Sequence, residues 1–232
     1  MMIQESNSTL KQVFDGVWIA SSPIKILGMN LTTTMTVLRL ADDKLLVNSP
    51  IPLAPQLQEE VSQLGEVTHL YSPNLFHHLY IGDWSESFPD AKLHAPKGLE
   101  KKRADLIIDK YHLDEEPDFE GVIEEYPIHG FRLIETALLY KPTGTLLVSD
   151  LVHNVGRPEG GWTKFYTKMM GFYDKVAISN MIKWTSFNDK KAAKRSVQTI
   201  LEQDFDSLIV GHGSPILSNA KETLSKALSW LV

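Results

Sequence analysis

Three short apolar runs in this chain end in groups that ligate metals, and that coincidence constrains the fold more than any other feature. Val67 to Tyr71 reads as a strand and delivers the loop Ser72-Pro73-Asn74-Leu75-Phe76-His77-His78. Leu146-Leu147-Val148-Ser149-Asp150 reads as a buried strand ending in a carboxylate, and Leu208-Ile209-Val210-Gly211-His212-Gly213 as another ending in an imidazole. Sheet proteins that carry polar groups at the C-terminal ends of their strands generally assemble a site there.

What can fill such a site is narrowed by composition. The chain has no cysteine, so disulfides and thiolate ligands are excluded and any metal must be held by His, Asp or Glu. With 23 Lys and Arg against 29 Asp and Glu, the net charge of -6 argues against a nucleic-acid partner. No apolar run approaches membrane-spanning length, and Met1 to Lys11 lacks the apolar core of a signal peptide; the expected location is the cytoplasm, with no membrane partner.

Taken in order, Val13 to Ala20 is β-like, followed by a loop Ser21-Ser22-Pro23 and an irregular stretch through Gly28 and Asn30. Thr32 to Leu40 and Leu45 to Asn48 form a hairpin across Asp42-Asp43-Lys44, and Pro55 opens a helix with Leu57, Val61 and Leu64 on one face before Gly65. Beyond the histidine loop come a strand Ala91 to Ala95, a polar helix Pro96 to Asp105, a solvated loop Asp114-Glu115-Glu116-Pro117-Asp118 and a strand Val122 to Ile128. Glu135 to Tyr140 and Thr145 to Ser149 make a second hairpin across Lys141-Pro142-Thr143-Gly144, similar enough to the first to suggest two related halves. A helical insertion at about 155–187 carries aromatics from Trp162 to Tyr173, expected to pack rather than to form a lid. Helices follow at Asn188 to Asp204, with the solvated basic run Lys190, Lys191, Lys194 and Arg195, and at Asn219 to Leu231.

This order predicts an α/β (α+β) chain, residues 1–232 as a single domain, with two mixed sheets face to face and helices outside. From Val13 to His212 it resembles the metallo-β-lactamase superfamily, a four-layer αββα sandwich with its metal site along one edge. Ser72-Pro73-Asn74 with His77-His78, and Glu135 followed by Thr145-Leu146-Leu147-Val148-Ser149-Asp150, are similar to a branch with an eroded first motif. Where that superfamily has H-x-H-x-D-H, Pro73 and Leu75 replace the first two histidines, His77 replaces the aspartate and His78 keeps the last histidine. Asn48-Ser49 stands for an Asp-Thr pair, Asp150 for the metal-bridging acid and His212 for the final histidine; for the upstream histidine the candidates are His129 and, as an oxygen ligand, Glu135.

The resemblance therefore implies that the first metal position is dismantled and the second kept, with His77, His78, Asp150 and His212 holding one transition metal ion, zinc or iron. Asp150 and His78 are the expected catalytic groups, and Asn74, His129, Glu135 and His153 the additional or supporting ones. The implied activity is hydrolysis of a small ester, lactone, amide or phosphoester; oxygen chemistry at an iron ion is a lesser possibility. The alternative is a non-catalytic protein of the same fold, with or without metal, binding a small molecule or a protein partner. Each residue also has a plainer reading: His77 and His78 bonded to loop carbonyls, Asp150 capping a turn, His153 on the surface, His69 and His94 structural within strands, and His112 in a polar loop.

Overall fold

The computed structural model describes residues 9–113, 119 and 121–232; the polar N-terminus through residue 8 and the loop Asp114 to Asp118 lie outside them. Over the described residues the chain divides into two units, Met1–Pro23 with Thr33–Glu120, and Ile24–Thr32 with Gly121–Val232.

The first sheet runs β1 (Lys11–Phe14), β2 (Val17–Ile26), β3 (Met29–Arg39), β4 (Lys44–Asn48), β5 (Glu66–Tyr71), β6 (Lys92–Ala95) and β7 (Lys110–Tyr111), in that spatial order. β3 and β4 pair antiparallel, while β4 to β7 pair parallel, so the sheet is mixed. Helix α1 (Pro55–Ser62) makes the crossover between β4 and β5, buries Leu57 and Val61, and starts on the proline whose missing N–H costs a helix nothing there. Leu45, Leu46 and Val47 are all fully buried, which is why β4 reads as a continuous apolar run rather than an alternating one. Trp84 on helix α2 (Ile81–Ser87) is fully buried in this core and donates its indole N–H to the Ile51 carbonyl at 2.8 Å.

A second mixed sheet has the order β11 (Ser207–Val210), β10 (Thr145–Val148), β9 (Thr136–Tyr140), β8 (Ile123–Pro127), with β10 and β11 parallel and the others antiparallel. Three helices, α3 (Gly161–Met169), α4 (Asn180–Thr185) and α5 (Lys190–Glu202), lie between β10 and β11 in the chain, and α6 (Ala220–Ala227) follows. Val197 and Ile200 of α5 and Leu224 of α6 join Leu146, Val148, Leu208 and Val210 in one core. Asp189 caps α5 by accepting the N–H groups of Lys191 and Ala192, both at 2.9 Å. Each sheet thus repeats one local plan, an antiparallel hairpin whose second strand is joined by a parallel strand arriving over helix.

Three expectations need correction. Ser21-Ser22-Pro23 is not a loop: β2 continues through it, and the proline is tolerated because β1 pairs with β2 only as far as Ile19. Gly82 lies within α2, although a glycine there suggests a break, and a Cβ on it would meet the Arg103 guanidinium at 2.9 Å. Pro96 to Asp105 is no helix beyond a single 3-10 turn at Leu99–Lys101, since Gly98 takes a left-handed φ of 101° and Leu99 is the turn's one buried side chain. The Trp162 to Tyr173 aromatics divide: Tyr166 and Phe172 pack with Met29, whereas Trp162 and Phe165 stay exposed.

Candidate metal centre

The loop after β5 is shaped by its own short polar side chains. Asn74, fully buried, accepts the N–H of Phe76 at 2.8 Å and of His77 at 2.9 Å through Oδ1, an Asx turn that tightens the chain just before His77. Ser72 Oγ donates to the carbonyls of Asn74 at 3.1 Å and His77 at 3.3 Å. The His77 ring is then oriented by Ser49, whose Oγ lies 2.7 Å from Nδ1. Ser49 sits just past β4 with a left-handed φ of 54°, its N–H bonded to the Tyr71 carbonyl at 2.9 Å. With Nδ1 engaged, Nε2 is the ring nitrogen that His77 can offer to a metal.

His78 is held differently. Its carbonyl accepts from Arg103 Nη1 at 2.9 Å, and its half-buried imidazole is kept below the usual histidine range by burial first, then by the Arg103 and Lys102 charges. It is therefore neutral near pH 7.

In the second unit a buried carboxylate builds the turn that presents Asp150. Glu135 Oε1 accepts the N–H of Ser149 at 2.8 Å and of Leu151 at 3.3 Å, and Oε2 accepts that of Asp150 at 2.8 Å. Three consecutive amides converge on one acid. His212 follows β11, and the backbone past it is pinned to Asn154, whose N–H donates to the His212 carbonyl at 3.0 Å and whose carbonyl accepts from Ser214 at 2.9 Å. Gly213 makes this approach possible: its φ is 100°, and a Cβ would fall 1.9 Å from the Asn154 carbonyl oxygen.

His212 Nδ1 lies 2.8 Å from the Thr32 carbonyl, an acceptor only, so Nδ1 carries a proton and the neutral ring has its lone pair on Nε2. Nε2 faces Asp150 Oδ1 at 3.5 Å. That is longer than an ordinary N–H···O bond and close to the ~3.4 Å that separates two donors on one tetrahedral ion with bonds of about 2.0–2.2 Å. Burial alone would lower the His212 pKa, but the Asp150 carboxylate outweighs it, helped by the Thr32 carbonyl and Glu135, and the net shift is upward.

Of the four expected ligands, Asp150 and His212 come together within the second unit, both buried, while His77, also buried, and His78 belong to the first. An imidazole nitrogen beside a carboxylate oxygen suits a transition ion such as zinc or iron. Among the supporting candidates, Asn74 and Glu135 fix the loop and turn that carry His77 and Asp150. His153 is buried beside His212, ring centroids 5.5 Å apart, and against Phe172. His129 is exposed and donates its N–H to Ser196 Oγ at 3.0 Å on the α5 side of β8. His112, expected in a polar loop, is buried and stacked on Tyr71 with centroids 4.4 Å apart.

Two partners escaped the sequence. Ser49 was legible as a motif position but not as the group that orients His77, and Thr32 contributes only its carbonyl, which no sequence pattern marks. The hairpin tip that carries Thr32 is further fixed by Trp162 Nε1 on the Leu27 carbonyl and by Thr163 Oγ1, which accepts the Asn30 N–H, both at 3.1 Å.

No family model and no curated protein matches the sequence. Solved structures do match the fold. A metallo-β-lactamase from Pontibacter korlensis is 11% identical with a TM-score of 0.68, over 97% of this chain and 99% of that one. FIM-1, a metallo-β-lactamase from Pseudomonas aeruginosa in its mono-zinc form, is 11% identical with a TM-score of 0.62, over 95% and 96%. The Flv1 flavodiiron core from Synechocystis sp. is 11% identical with a TM-score of 0.66, over 97% of this chain and 61% of that one. The chain has the metallo-β-lactamase fold. Among the described residues no helix is long and apolar enough to cross a membrane.

Proposed function

We propose that this protein is a mononuclear metal-dependent hydrolase of a small ester, lactone, amide or phosphoester, with Asp150 and His212 among the ligands of one zinc or iron ion. The observation that carries the reading is the buried Asp150–His212 pair, with Nε2 and Oδ1 3.5 Å apart and Nδ1 already committed to Thr32.

When bound, such an ion supplies Lewis acidity toward a carbonyl or phosphoryl oxygen and lowers the proton affinity of a water molecule. The chain's own groups do the rest. The Thr32 carbonyl holds the neutral His212 imidazole in the tautomer that presents Nε2, Ser49 orients the His77 ring, Glu135 keeps the Asp150 carboxylate in place, and Asp150 takes the proton that the attacking water gives up. His78, neutral and half-buried, is available as a second proton acceptor rather than as a ligand. The FIM-1 match in a mono-zinc form supports a single ion in this fold.

The test is elemental analysis of protein purified without chelator or added metal, followed by a screen of esters, lactones, amides and phosphoesters. About one transition metal per chain, lost together with turnover in His212→Ala, is the expected result. Metal-free protein that takes up no zinc, iron or manganese would overturn the reading in favour of a non-catalytic binding protein.

A further inference from the structure

The basic run on α5 reads in the sequence as a solvated face, but one of its members borders a cavity. Between β8 with the residues that follow it and the exposed side of α5 lies a space of about 260 Å³, within the second unit and lined by Tyr126, His129, Ala192, Arg195, Ser196 and Thr199. Its walls are of two kinds. The Tyr126 ring and the Ala192 methyl are apolar; Arg195, Ser196, Thr199 and His129 are polar, and no acid is among the lining residues.

The polar side is built rather than incidental. Ser196 is 8% exposed, and its Oγ accepts the His129 N–H at 3.0 Å, so its own hydrogen remains to be donated. The Tyr126 hydroxyl is already given to Glu124 Oε2 at 2.5 Å, which turns the tyrosine into a flat apolar wall. Glu124 in turn pairs with Lys141 at 3.1 Å, so its charge is compensated. Arg195 is exposed on the same side. A guanidinium side chain and a buried hydroxyl donor lining one cavity suit a planar anion, and the volume falls below the ~300–1,000 Å³ of pockets for drug-sized ligands, so the occupant is small.

We propose that this cavity binds a small monocarboxylate with a flat apolar body, its carboxylate on Arg195 and Ser196 and its body against Tyr126 and Ala192. The proposal does not depend on the metal centre. Its test is titration of 4-fluorobenzoate into the full chain, followed by fluorine NMR, with inorganic phosphate as competitor. Saturable binding that weakens about tenfold or more in Arg195→Ala is expected, because the fork that pairs with the carboxylate is gone. Lys194→Ala, in the same basic run but outside the lining, should change affinity by no more than about twofold if contact rather than general charge is responsible. Lack of saturation at tens of millimolar, equal weakening in Lys194→Ala, binding indifferent to Arg195→Ala, or displacement by phosphate as readily as by unlabelled benzoate would each overturn it.

Discussion

The Glu135 carboxylate accepts the backbone N–H of Asp150 at 2.8 Å, and through its other oxygen the amides on either side. A buried acid is thereby committed to the turn that aims the metal-ligand candidate Asp150.

Replacing Glu135 by Gln halves the acceptor capacity and places an amide N–H₂ against backbone donors. Leaving buried donors unmatched costs about 1–3 kcal/mol, so the denaturant midpoint should fall accordingly. Metal retention should fall about 10–100-fold, as it does when partners that orient ligands are removed. Wild-type metal content together with an unshifted midpoint would show that the three amides do not depend on the carboxylate.

Asn74 plays the corresponding part for His77, and the two tests differ in a useful way. Asn74→Asp keeps the acceptor oxygen for Phe76 and His77, whereas Asn74→Ala removes it and should cost about 1–2 kcal/mol, the scale of a lost side-chain cap. Hydrogen exchange at the Phe76 and His77 amides reads this directly. Both amides should lose protection in the Ala variant and keep it in the Asp variant; equal protection in all three proteins would contradict the assignment.

The contrast between these supporting groups and the ligands explains what the sequence could and could not reveal. The strand ends that deliver Asp150 and His212 were legible because parallel strands buried on both faces leave unbroken apolar runs, and a charged or imidazole residue at the end of one stands out. His77 stood out through the pairing with His78, yet nothing in the sequence separates the two, since the Asn74 turn and Ser49 decide how His77 is held. Helix α2 was hidden by Gly82, which serves close packing against Arg103 rather than a break, and the burial of His112 was hidden by its polar neighbours. Backbone acceptors such as the Thr32 carbonyl carry no residue signature at all.

Acid should weaken the first unit through a cluster that is separate from the metal ligands. His69 Nδ1 lies 2.9 Å from His94 Nε2, and Tyr71 stacks on His112. Burial, then the neighbouring His69 and His112, push His94 down to about 3, and burial alone pushes His112 to about 3. An unfolded chain takes up these protons near pH 6.5, whereas the folded one does not until near pH 3. The stability these neutral rings contribute is therefore complete above pH 6.5 and is lost as the pH falls through that window. Each such histidine adds about 1.4 kcal/mol per pH unit to the slope. Urea midpoints between pH 7.5 and 4.5 should drop steeply, and His112→Phe, which keeps a ring on Tyr71, should flatten the dependence by about one proton. Equal slopes for the two proteins would show that His112 charges without cost in the fold.

Gly213 gives the sharpest test of how the backbone positions His212. Two separate penalties meet at this residue: its φ of 100° is unfavourable for any residue with a side chain, and the missing Cβ would lie 1.9 Å from the Asn154 carbonyl oxygen. Gly156 makes the natural comparison, because it shares a positive φ of 61° but has nothing within 4 Å of a Cβ. Gly156→Ala should cost only about 1 kcal/mol, the conformational part alone. Gly213→Ala must in addition push the chain away from Asn154, and should cost more than about 2 kcal/mol. Since Asn154 also holds the His212 carbonyl, that displacement moves the imidazole, so metal content should collapse in Gly213→Ala and persist in Gly156→Ala. If both variants kept their metal and unfolded at the same denaturant concentration, the close approach of Asn154 would have no part in placing His212.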